Sequence, residues 1–535
     1  VESGIGRDMV AVDEEHAAAW RPGWRALLAL FVGALVLRAP LVAAIDVIQT
    51  DSPGYLSVAD FFAHPGRYET TPWRITTPLY PAAVFLATAA TGLPVLAARL
   101  VNVLLGALAV PLLAVLLGRT FGRRAAIFGS LLAGATYALV LDSGTAMTEP
   151  LFLVVSLLLT GRCLAAWDRE NGPRWSDGLL VGAWLGLAFL TRSTALFQAL
   201  VILPWLLRIV LRTPARLPVL GLAIVVFVLI GAIPRAVTAS RGEPHPSAST
   251  APLLDGTNLA FGNREVKNYR LNEAGTEREF EEIARGTTVL RELTANPALL
   301  AKKVLLNLRK TVNETIPGLF RPAVILLLPL AFLGLFFARS RRERRFVILT
   351  LLLTAPLVLL LPVLQVRERH FYSVLPLWLG LAGVALTRIP DRFGSPRLRP
   401  VCTGLLAAVI ALNLGAVGYA FVVNRGAGNV YREAGTWLGS KLPAGRQGIM
   451  VRNPEFVSWA GHQRYEVFPA EPLERVLAYA RHKGVAYLVL GPAERKLRPR
   501  FVRDLEAADG VPEGLREIRG FRGGRDGPLV IYAIE

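Results

Sequence analysis

The chain has 535 residues, of which 53% are hydrophobic and 19% are charged, and its mean hydropathy is +0.44. A water-soluble chain of this length would not bury so much apolar surface, so the composition predicts a polytopic α-helical membrane protein and excludes a disordered chain, a collagen-like fibre or a disulfide scaffold. The net charge of +19 fits cytoplasmic loops and lipid-phosphate contacts, and we expect no nucleic-acid partner.

Apolar runs of membrane length predict about 11 transmembrane helices. These runs are 26–45, 95–117, 125–141, 150–167, 178–191, 193–211, 218–238, 317–338, 346–364, 371–389 and 400–422. A further apolar segment, 78–92, is short and bracketed by prolines, and it is compatible with either a span or a helix on the membrane surface.

Four loops carry dense positive charge, and their positions predict the orientation. These loops are GRTFGRR (118–124), LRTPAR (211–216), RSRRERR (339–345) and RIPDRFGSPRLR (388–399). All four lie in the cytoplasm, as the positive-inside rule requires, only if 78–92 does not cross the membrane. We therefore expect a multi-pass protein of the cell (inner) membrane with residues 1–25 in the cytoplasm and the loops 46–94 and 239–316 outside.

The tail, 423–535, has the composition of a soluble domain. YREAGTWLGSKLPAG and LERVLAYARHKG predict helices, and GIMVRN, YEVFP and AYLVLGP predict short strands. We expect a small α/β domain on the outer face, following a transmembrane domain over 26–422. Residues 277–310 in the second long loop form an amphipathic helical stretch that we expect against the membrane surface.

Two carboxylates in outer loops are the candidate catalytic groups. Asp51 follows the first run directly, with Tyr55 one helical turn later, and Glu149 precedes Pro150 at the start of another run. Paired carboxylates at a membrane boundary suit general-base catalysis or metal binding. The alternative for Asp51 is a helix N-cap.

Basic side chains on the same side of the membrane predict a cationic pocket suited to phosphate. Arg192 interrupts two apolar runs, and charges inside spans are costly unless they face a cavity or a partner. Arg38 and Arg99 lie near the ends of spans, where snorkelling to lipid headgroups is the alternative. The full set of substrate-binding candidates is Tyr55, Arg74, Tyr80, Arg99, Arg192, Arg367, Arg369 and His370.

The histidines and cysteines do not predict a metal or redox centre. The six histidines include no HExxH motif, and Cys163 and Cys402 are far apart inside apolar runs. We expect no required cofactor, although a divalent cation becomes possible if Asp51 and Glu149 converge closely.

The order of motifs resembles a known superfamily. An outer-loop Asp with a Tyr four residues later is followed by PLYP, LAARLVNVLLGALAV, LLGRTFGRRAAIFGSLLAG, TEPLF and GLAFLTRSTAL. This order resembles the GT-C integral-membrane glycosyltransferases, in particular the bacterial branch similar to dolichyl-phosphate-mannose protein mannosyltransferases and lipid A aminoarabinose transferases. The resemblance covers about residues 26–240 well and the later spans by pattern.

The resemblance implies a polyprenyl-phosphate-linked sugar, hexosyl or pentosyl, as donor, and inversion at the anomeric carbon on the outer face. It also implies that the first-loop Asp, here Asp51, is the base. Many members have Asp-Glu at this point, whereas Ser52 follows Asp51 here, so Glu149 is the candidate second carboxylate. The expected partners are this donor, a glycan, lipid or protein acceptor, and membrane lipid.

Three other functions stay open from the sequence. A transporter for an anionic substrate would also line its path with arginines, although no inverted repeat is visible. An envelope-glycan polymerase or ligase with a diphosphate-linked donor would need similar outer-face arginines. A scaffold that anchors a binding tail is the third, but buried charge in so many spans is excessive for it.

Overall fold

A computed structural model describes most of the chain. The described residues are 20, 22–44, 51–68, 72–242, 269–279, 294, 297–364, 366–426, 428–442, 448–453, 455–461, 464–508, 510–523 and 527–535.

Helices dominate the part of the chain before the tail. Up to residue 242 they are α1 (Trp24–Ala44), α2 (Ser52–Ala63), α3 (Leu79–Thr91), α4 (Pro94–Phe121), α5 (Arg123–Ala135), α6 (Tyr137–Ser143), α7 (Glu149–Trp167), α8 (Trp175–Thr191), α9 (Ala195–Val210), α10 (Leu217–Gly231) and α11 (Ile233–Ser240). The later ones are α12 (Pro297–Lys310), α13 (Ile316–Leu319), α14 (Val324–Phe336), α15 (Arg341–Leu359), α16 (Leu375–Arg392) and α17 (Leu398–Asn424).

Among the described residues, six helices are long and apolar enough to cross a membrane, or up to eight if each bent pair is one span. The bent pairs are α5 with α6, at 57°, and the helical segment Pro297–Leu319 with α14, at 100°. The prediction of a helical chain with several membrane-length segments is confirmed. The count of eleven stays a prediction, because α8 and α9 are shorter than a typical span.

The short apolar segment at 78–92 forms α3, which packs against α2 and α4. Its C-terminus is capped by Gly92, whose φ of 67° lies in the left-handed region that favours glycine. The structure thus gives this segment a helix of 13 residues.

The tail contains a five-stranded sheet with the order β2-β1-β3-β5-β4. Its strands are β1 (Gly448–Val451), β2 (Arg464–Val467), β3 (Val485–Leu490), β4 (Leu515–Phe521) and β5 (Leu529–Ile534). Strands β1, β2 and β3 are parallel, and β5 is antiparallel to both β3 and β4. The tail helices are α18 (Asn429–Gly439), α19 (Glu455–Trp459), α20 (Leu473–His482), α21 (Pro492–Leu497) and α22 (Pro499–Ala507).

The three strands and two helices expected in the tail are confirmed as β1, β2, β3, α18 and α20. The domain boundary at 422 stays a prediction, and α17 runs to Asn424.

The second long loop contributes a docked segment rather than a surface helix alone. Within residues 269–279, the Tyr269 carbonyl accepts a hydrogen bond from the Ala470 backbone at 2.8 Å, and Leu271 joins the apolar core of the tail. Helix α12 confirms the helical part of the 277–310 prediction, and its Asn307 Nδ2 donates to the Pro362 carbonyl at 2.9 Å. Residues 280–293 and 295–296 of that prediction lie outside the described residues.

Candidate active site

Asp51 is the residue just before α2, but its side chain does not cap that helix. Its Oδ1 lies 2.9 Å from Arg74 Nη2, and its Oδ2 accepts a hydrogen bond from Arg369 Nη2 at 2.5 Å. The alternative prediction, that the Asp51 side chain caps α2, is therefore wrong. The carboxylate faces two guanidinium groups instead of the helix N–H groups.

Arg74 packs against an aromatic pair, and a glycine leaves room for its side chain. Its guanidinium carbon lies 4.9 Å from the centre of the Tyr55 ring, which meets the Tyr80 ring edge-on at 5.7 Å. A Cβ on Gly54 would stand 2.7 Å from Arg74 Cγ, so a larger residue there would displace the arginine. Helix α2, the turn Trp73–Thr76 and the beginning of α3 thus bring Tyr55, Arg74 and Tyr80 together beside Asp51.

Glu149 begins α7 and is buried, with 1% of its side chain exposed. Its Oε1 forms an ion pair with Arg192 Nη1, and Arg369 Nε lies 3.8 Å from the same oxygen. Arg192 directly follows α8 in extended backbone, which turns its side chain toward the start of α7. Arg369 therefore contacts both predicted carboxylates.

The turn that carries Glu149 is fixed by the bundle. Asn102 Nδ2, buried in α4, donates to the carbonyls of Thr145 and Met147 at 2.6 and 2.7 Å. Ser52 Oγ lies 3.5 Å from Met147 Sδ, which joins this turn to the beginning of α2. These contacts set the positions of the two acidic loops relative to each other.

A small buried cavity of about 10 Å³ lies behind Glu149. Its polar wall includes Arg38, Asp142 and Tyr372. Neither Asp142 nor Tyr372 is among the residues predicted from the sequence. Asp142 is at the beginning of the turn 142–149 that ends at Glu149, and this proximity could have predicted it as a site residue. Tyr372 is at the edge of an apolar run, where nothing in the sequence marks it as a site residue.

Electrostatics keep Asp51 ionised. Burial on its own raises the pKa of this carboxyl, but the positive charges of Arg74 and Arg369 outweigh burial, and Arg367 adds to them. The pKa of Asp51 therefore lies below its ordinary value. Arg367 is exposed at the beginning of the short turn Glu368–Phe371, which also carries Arg369 and the half-buried His370.

Arg38 and Arg99 are buried inside the bundle, so the snorkelling alternative is wrong for both. Arg38 is 1% exposed and donates to Ser143 Oγ at 3.2 Å and to two backbone carbonyls. Arg99 is 4% exposed and donates to the Val42 carbonyl at 3.3 Å, near the end of α1. A substrate-binding role for Arg99 stays a prediction.

Residues of the tail lie next to this site. Trp459 packs against the apolar cluster that contains Tyr55 and Tyr80. Tyr465 in β2 interacts electrostatically with Arg74 and Asp51; burial is the main cause of its raised pKa. Sequence patterns do not locate this contact because it depends on how the tail docks.

The carboxylates are arranged around guanidinium groups. Within the described ranges, no group of three or more His, Cys, Asp and Glu side chains is placed to hold a metal ion. Asp51 and Glu149 converge on Arg369, and cation binding there stays untested.

Comparison with known proteins identifies the fold. A family model described as dolichyl-phosphate-mannose-protein mannosyltransferase matches residues 75–237. The structure of ArnT from Cupriavidus metallidurans, in the apo state, superposes with a TM-score of 0.58 at 15% identity, covering 95% of this chain and 97% of that chain. The same protein bound to undecaprenyl phosphate matches equally well, over 96% and 98% of the two chains.

The Archaeoglobus fulgidus oligosaccharyltransferase, in complex with Zn and sulfate, also matches with a TM-score of 0.58 at 15% identity, over 88% of this chain and 68% of that chain. No curated protein sequence gives a significant match. The predicted resemblance is confirmed: the chain has the fold of GT-C glycosyltransferases, and its segment 75–237 matches a mannosyltransferase family model.

Proposed function

We propose that this protein is a glycosyltransferase that moves a sugar from a polyprenyl-phosphate-linked donor to an acceptor hydroxyl on the outer face of the membrane. The observation that carries the proposal is Arg369, which contacts both Asp51 and Glu149. One guanidinium thus joins a candidate base to a buried carboxylate, and phosphate is an anion that guanidinium groups bind well.

Asp51 is the better base of the two carboxylates. Its side chain is 22% exposed, whereas that of Glu149 is 1% exposed and pairs with Arg192. An acceptor hydroxyl that arrives from water can reach Asp51 more easily than Glu149. In this proposal Glu149 is a positioning residue that orients Arg192 and Arg369.

The reaction balances with these groups alone. Asp51 takes the proton of the acceptor hydroxyl as its oxygen attacks the anomeric carbon, and the bond from that carbon to the phosphate oxygen breaks. The anomeric configuration inverts, and the polyprenyl phosphate leaves as an anion. Arg192 and Arg369 stabilise the negative charge that develops on it, and the proposal requires no cofactor.

The guanidinium groups at both carboxylates support an anionic ligand. Arg74 and Arg369 lie against Asp51, and Arg192 lies against Glu149. A bound phosphate would therefore have guanidinium partners beside either carboxylate. A protein with the same fold has been seen with undecaprenyl phosphate, which supports this class of ligand.

The proposal includes the predicted orientation, with the site and the tail outside a multi-pass cell membrane. Glycan, lipid and protein acceptors are all compatible with it, and so are hexosyl and pentosyl donors.

The test measures undecaprenyl phosphate, the leaving group, because it is the same product whichever acceptor receives the sugar. Purified protein in nanodiscs is mixed with undecaprenyl-phosphate-linked sugars and a membrane extract, and the release of undecaprenyl phosphate is followed by mass spectrometry. We expect release with at least one of these donors by the parent and loss of release in Asp51→Asn. Release that is equal in both proteins would contradict the proposal, and so would a parent protein that releases undecaprenyl phosphate from none of these donors.

A further inference from the structure

Helix α2 lies between the helical bundle and the tail. On the bundle side it packs against α3 and α4, and on the tail side it packs against α19, which ends at Trp459. Asp51 directly precedes α2, so the contact with α19 helps to set where this carboxylate stands. The position of the candidate base therefore depends on the tail as well as on the bundle.

Trp459 is the residue through which the tail reaches the aromatic side chains next to Asp51. It is partly buried against the apolar cluster that contains Tyr55 and Tyr80. The guanidinium of Arg74 lies over the Tyr55 ring, and the same guanidinium pairs with Asp51. A change at Trp459 can therefore reach the carboxylate through the aromatic rings and the arginine.

Two glycines allow α18 to lie very close to α19. Gly435 and Gly439 are four residues apart, so both lie on one face of α18. A Cβ on Gly435 would stand 2.7 Å from Trp459 Cβ, and a Cβ on Gly439 would stand 3.0 Å from the carbonyl carbon of Ala460. A side chain at Gly435 would therefore displace α19, and with it the contact between the tail and α2.

The segment before α19 is fixed by a fully buried carboxylate. Glu494 is 0% exposed and accepts hydrogen bonds from the backbone N–H groups of Arg452 and Asn453 at 2.7 and 3.1 Å. It also accepts from the Gly491 N–H group and from the Tyr431 hydroxyl, both at 2.9 Å. These bonds join the ends of β1 and β3 to α18, so α19 begins from a fixed point of the tail.

We propose that Trp459 is a positioning residue for the transfer reaction. It supports the Tyr55 ring and, through that ring, keeps the guanidinium of Arg74 beside Asp51. The inference rests on the proposed function and adds the tail to the parts of the chain that the chemical step needs, whichever acceptor is used. A tryptophan that only stabilises the tail would leave the properties of Asp51 unchanged, and this difference can be measured.

The pH dependence of the rate reports on this arrangement. Burial raises the pKa of the Asp51 carboxyl, and the positive charges of Arg74, Arg369 and Arg367 lower it. Among the described residues of the tail, Tyr465 of β2 is the titratable group that interacts with this carboxyl. If Arg74 moves away, the pKa rises, and the base is protonated at a higher pH.

The experiment compares Trp459→Ala, Trp459→Phe and the control Trp437→Ala in the full chain in nanodiscs. Trp437 is in α18 and packs within the tail, with its ring centre 5.8 Å from that of Phe521. We expect Trp459→Ala to lower kcat for undecaprenyl phosphate release about ten- to a hundredfold, because a small misplacement of a reacting group costs that much. Its acid limb should move to higher pH. Trp459→Phe should restore most of both properties, and Trp437→Ala should behave as the parent.

The variant Arg74→Gln shows whether Trp459 acts through Arg74. Once Arg74→Gln is present, Trp459→Ala should add no further shift of the acid limb. A further shift of equal size in the double variant would overturn the inference. An unshifted acid limb in Trp459→Ala alone would overturn it too, whatever the rate of that variant.

Gly435→Ala tests the same contact if Trp459→Ala does not fold. It keeps the tryptophan but displaces α19, so it should also lower the rate and move the acid limb to higher pH. Gly415→Ala in α17 is its control, because an added Cβ there meets no atom within 4 Å. A parental rate and a parental acid limb in Gly435→Ala would overturn the inference.

Hydrogen exchange separates this inference from the proposed function. The backbone amides of α2 should exchange faster in Trp459→Ala than in the parent or in Trp437→Ala. Equal exchange in all three proteins would overturn the inference even if the parent is active. If the parent releases no undecaprenyl phosphate from any donor while α2 exchanges faster in Trp459→Ala, the proposed function fails and the placement of α2 by the tail stands.

Discussion

Arg369 donates a hydrogen bond from Nη2 to Asp51 Oδ2 at 2.5 Å, although the two residues are 318 positions apart in the chain. Its Nε lies 3.8 Å from Glu149 Oε1. The short turn Glu368–Phe371, late in the chain, thus completes the site that Asp51 and Glu149 begin. The guanidinium keeps two carboxylates close together that would otherwise repel each other.

We predict that Asp51→Asn abolishes transfer and leaves the fold intact. The amide keeps the shape of the carboxylate but does not accept the proton, and positioned base catalysis is worth about 10²–10⁴-fold in rate. The measurement is the initial rate of undecaprenyl phosphate release, together with the thermal unfolding midpoint in detergent.

Asp60→Asn is the matched control for this variant. Asp60 is on the same helix and pairs with His64 at 3.0 Å, so its loss should leave the rate near that of the parent. A near-parental rate for Asp51→Asn would remove Asp51 from the role of base.

Sequence alone locates the main members of the site but not their pairing. Asp51, Glu149, Arg192 and Arg369 stand out because charges beside or within apolar runs are costly and therefore informative. Which arginine contacts which carboxylate depends on how distant helices pack, and no local pattern encodes that packing.

The same limit applies to the rest of the fold. Strands β1 to β3 are short apolar runs with turn residues around them, whereas β4 is largely exposed between its buried ends and gives a weak strand signal. The turn at 269–279 docks on the tail through single contacts such as the one between Tyr269 and Ala470, which composition does not predict.

We predict that Glu149→Gln lowers the free energy of unfolding. Its effect on the rate of the chemical step should be smaller than that of Asp51→Asn. Glu149 is buried and pairs with the largely buried Arg192, and removing one partner of a buried ion pair costs about 3–5 kcal/mol. The measurement is unfolding in detergent at several temperatures. Glu506→Gln, which breaks an exposed pair with Arg495, should leave stability unchanged. Equal stability of both variants would show that the buried pair is dispensable.

We predict that Arg74→Gln shifts the acid limb of the pH–rate profile to higher pH. The positive charge of Arg74 lowers the pKa of Asp51, so its loss raises that pKa, and the base is then protonated at a higher pH. The contribution of this ion pair to stability has the matching sign. It is present above the unfolded-state pKa of Asp51 and is lost as the pH falls through the lower folded-state pKa. An unshifted acid limb would indicate that another group limits the rate at low pH.

We predict that the tail is outside and the basic loop at 339–345 is in the cytoplasm. Cys163 and Cys402 are buried, so a cysteine introduced at Glu433 or Arg344, both exposed, reports its own side of the membrane. An impermeant maleimide should label Glu433→Cys in intact cells and Arg344→Cys only after lysis. The reverse pattern would overturn the orientation and the outer-face reaction with it.

The last prediction concerns the phosphate of the donor. Arg192→Ala should weaken binding of undecaprenyl phosphate roughly ten- to a hundredfold, because one charge-assisted contact is worth about 1.5–3 kcal/mol. Arg192→Lys should restore only part of the affinity, since an ammonium lacks the planar fork of a guanidinium. Arg399→Ala is the control, because Arg399 pairs with Asp391 on an exposed surface away from the site. If Arg192→Ala and Arg369→Ala both bind as tightly as the parent in nanodiscs, the arginines serve only to hold Asp51 and Glu149 together, and the lipid phosphate must bind elsewhere.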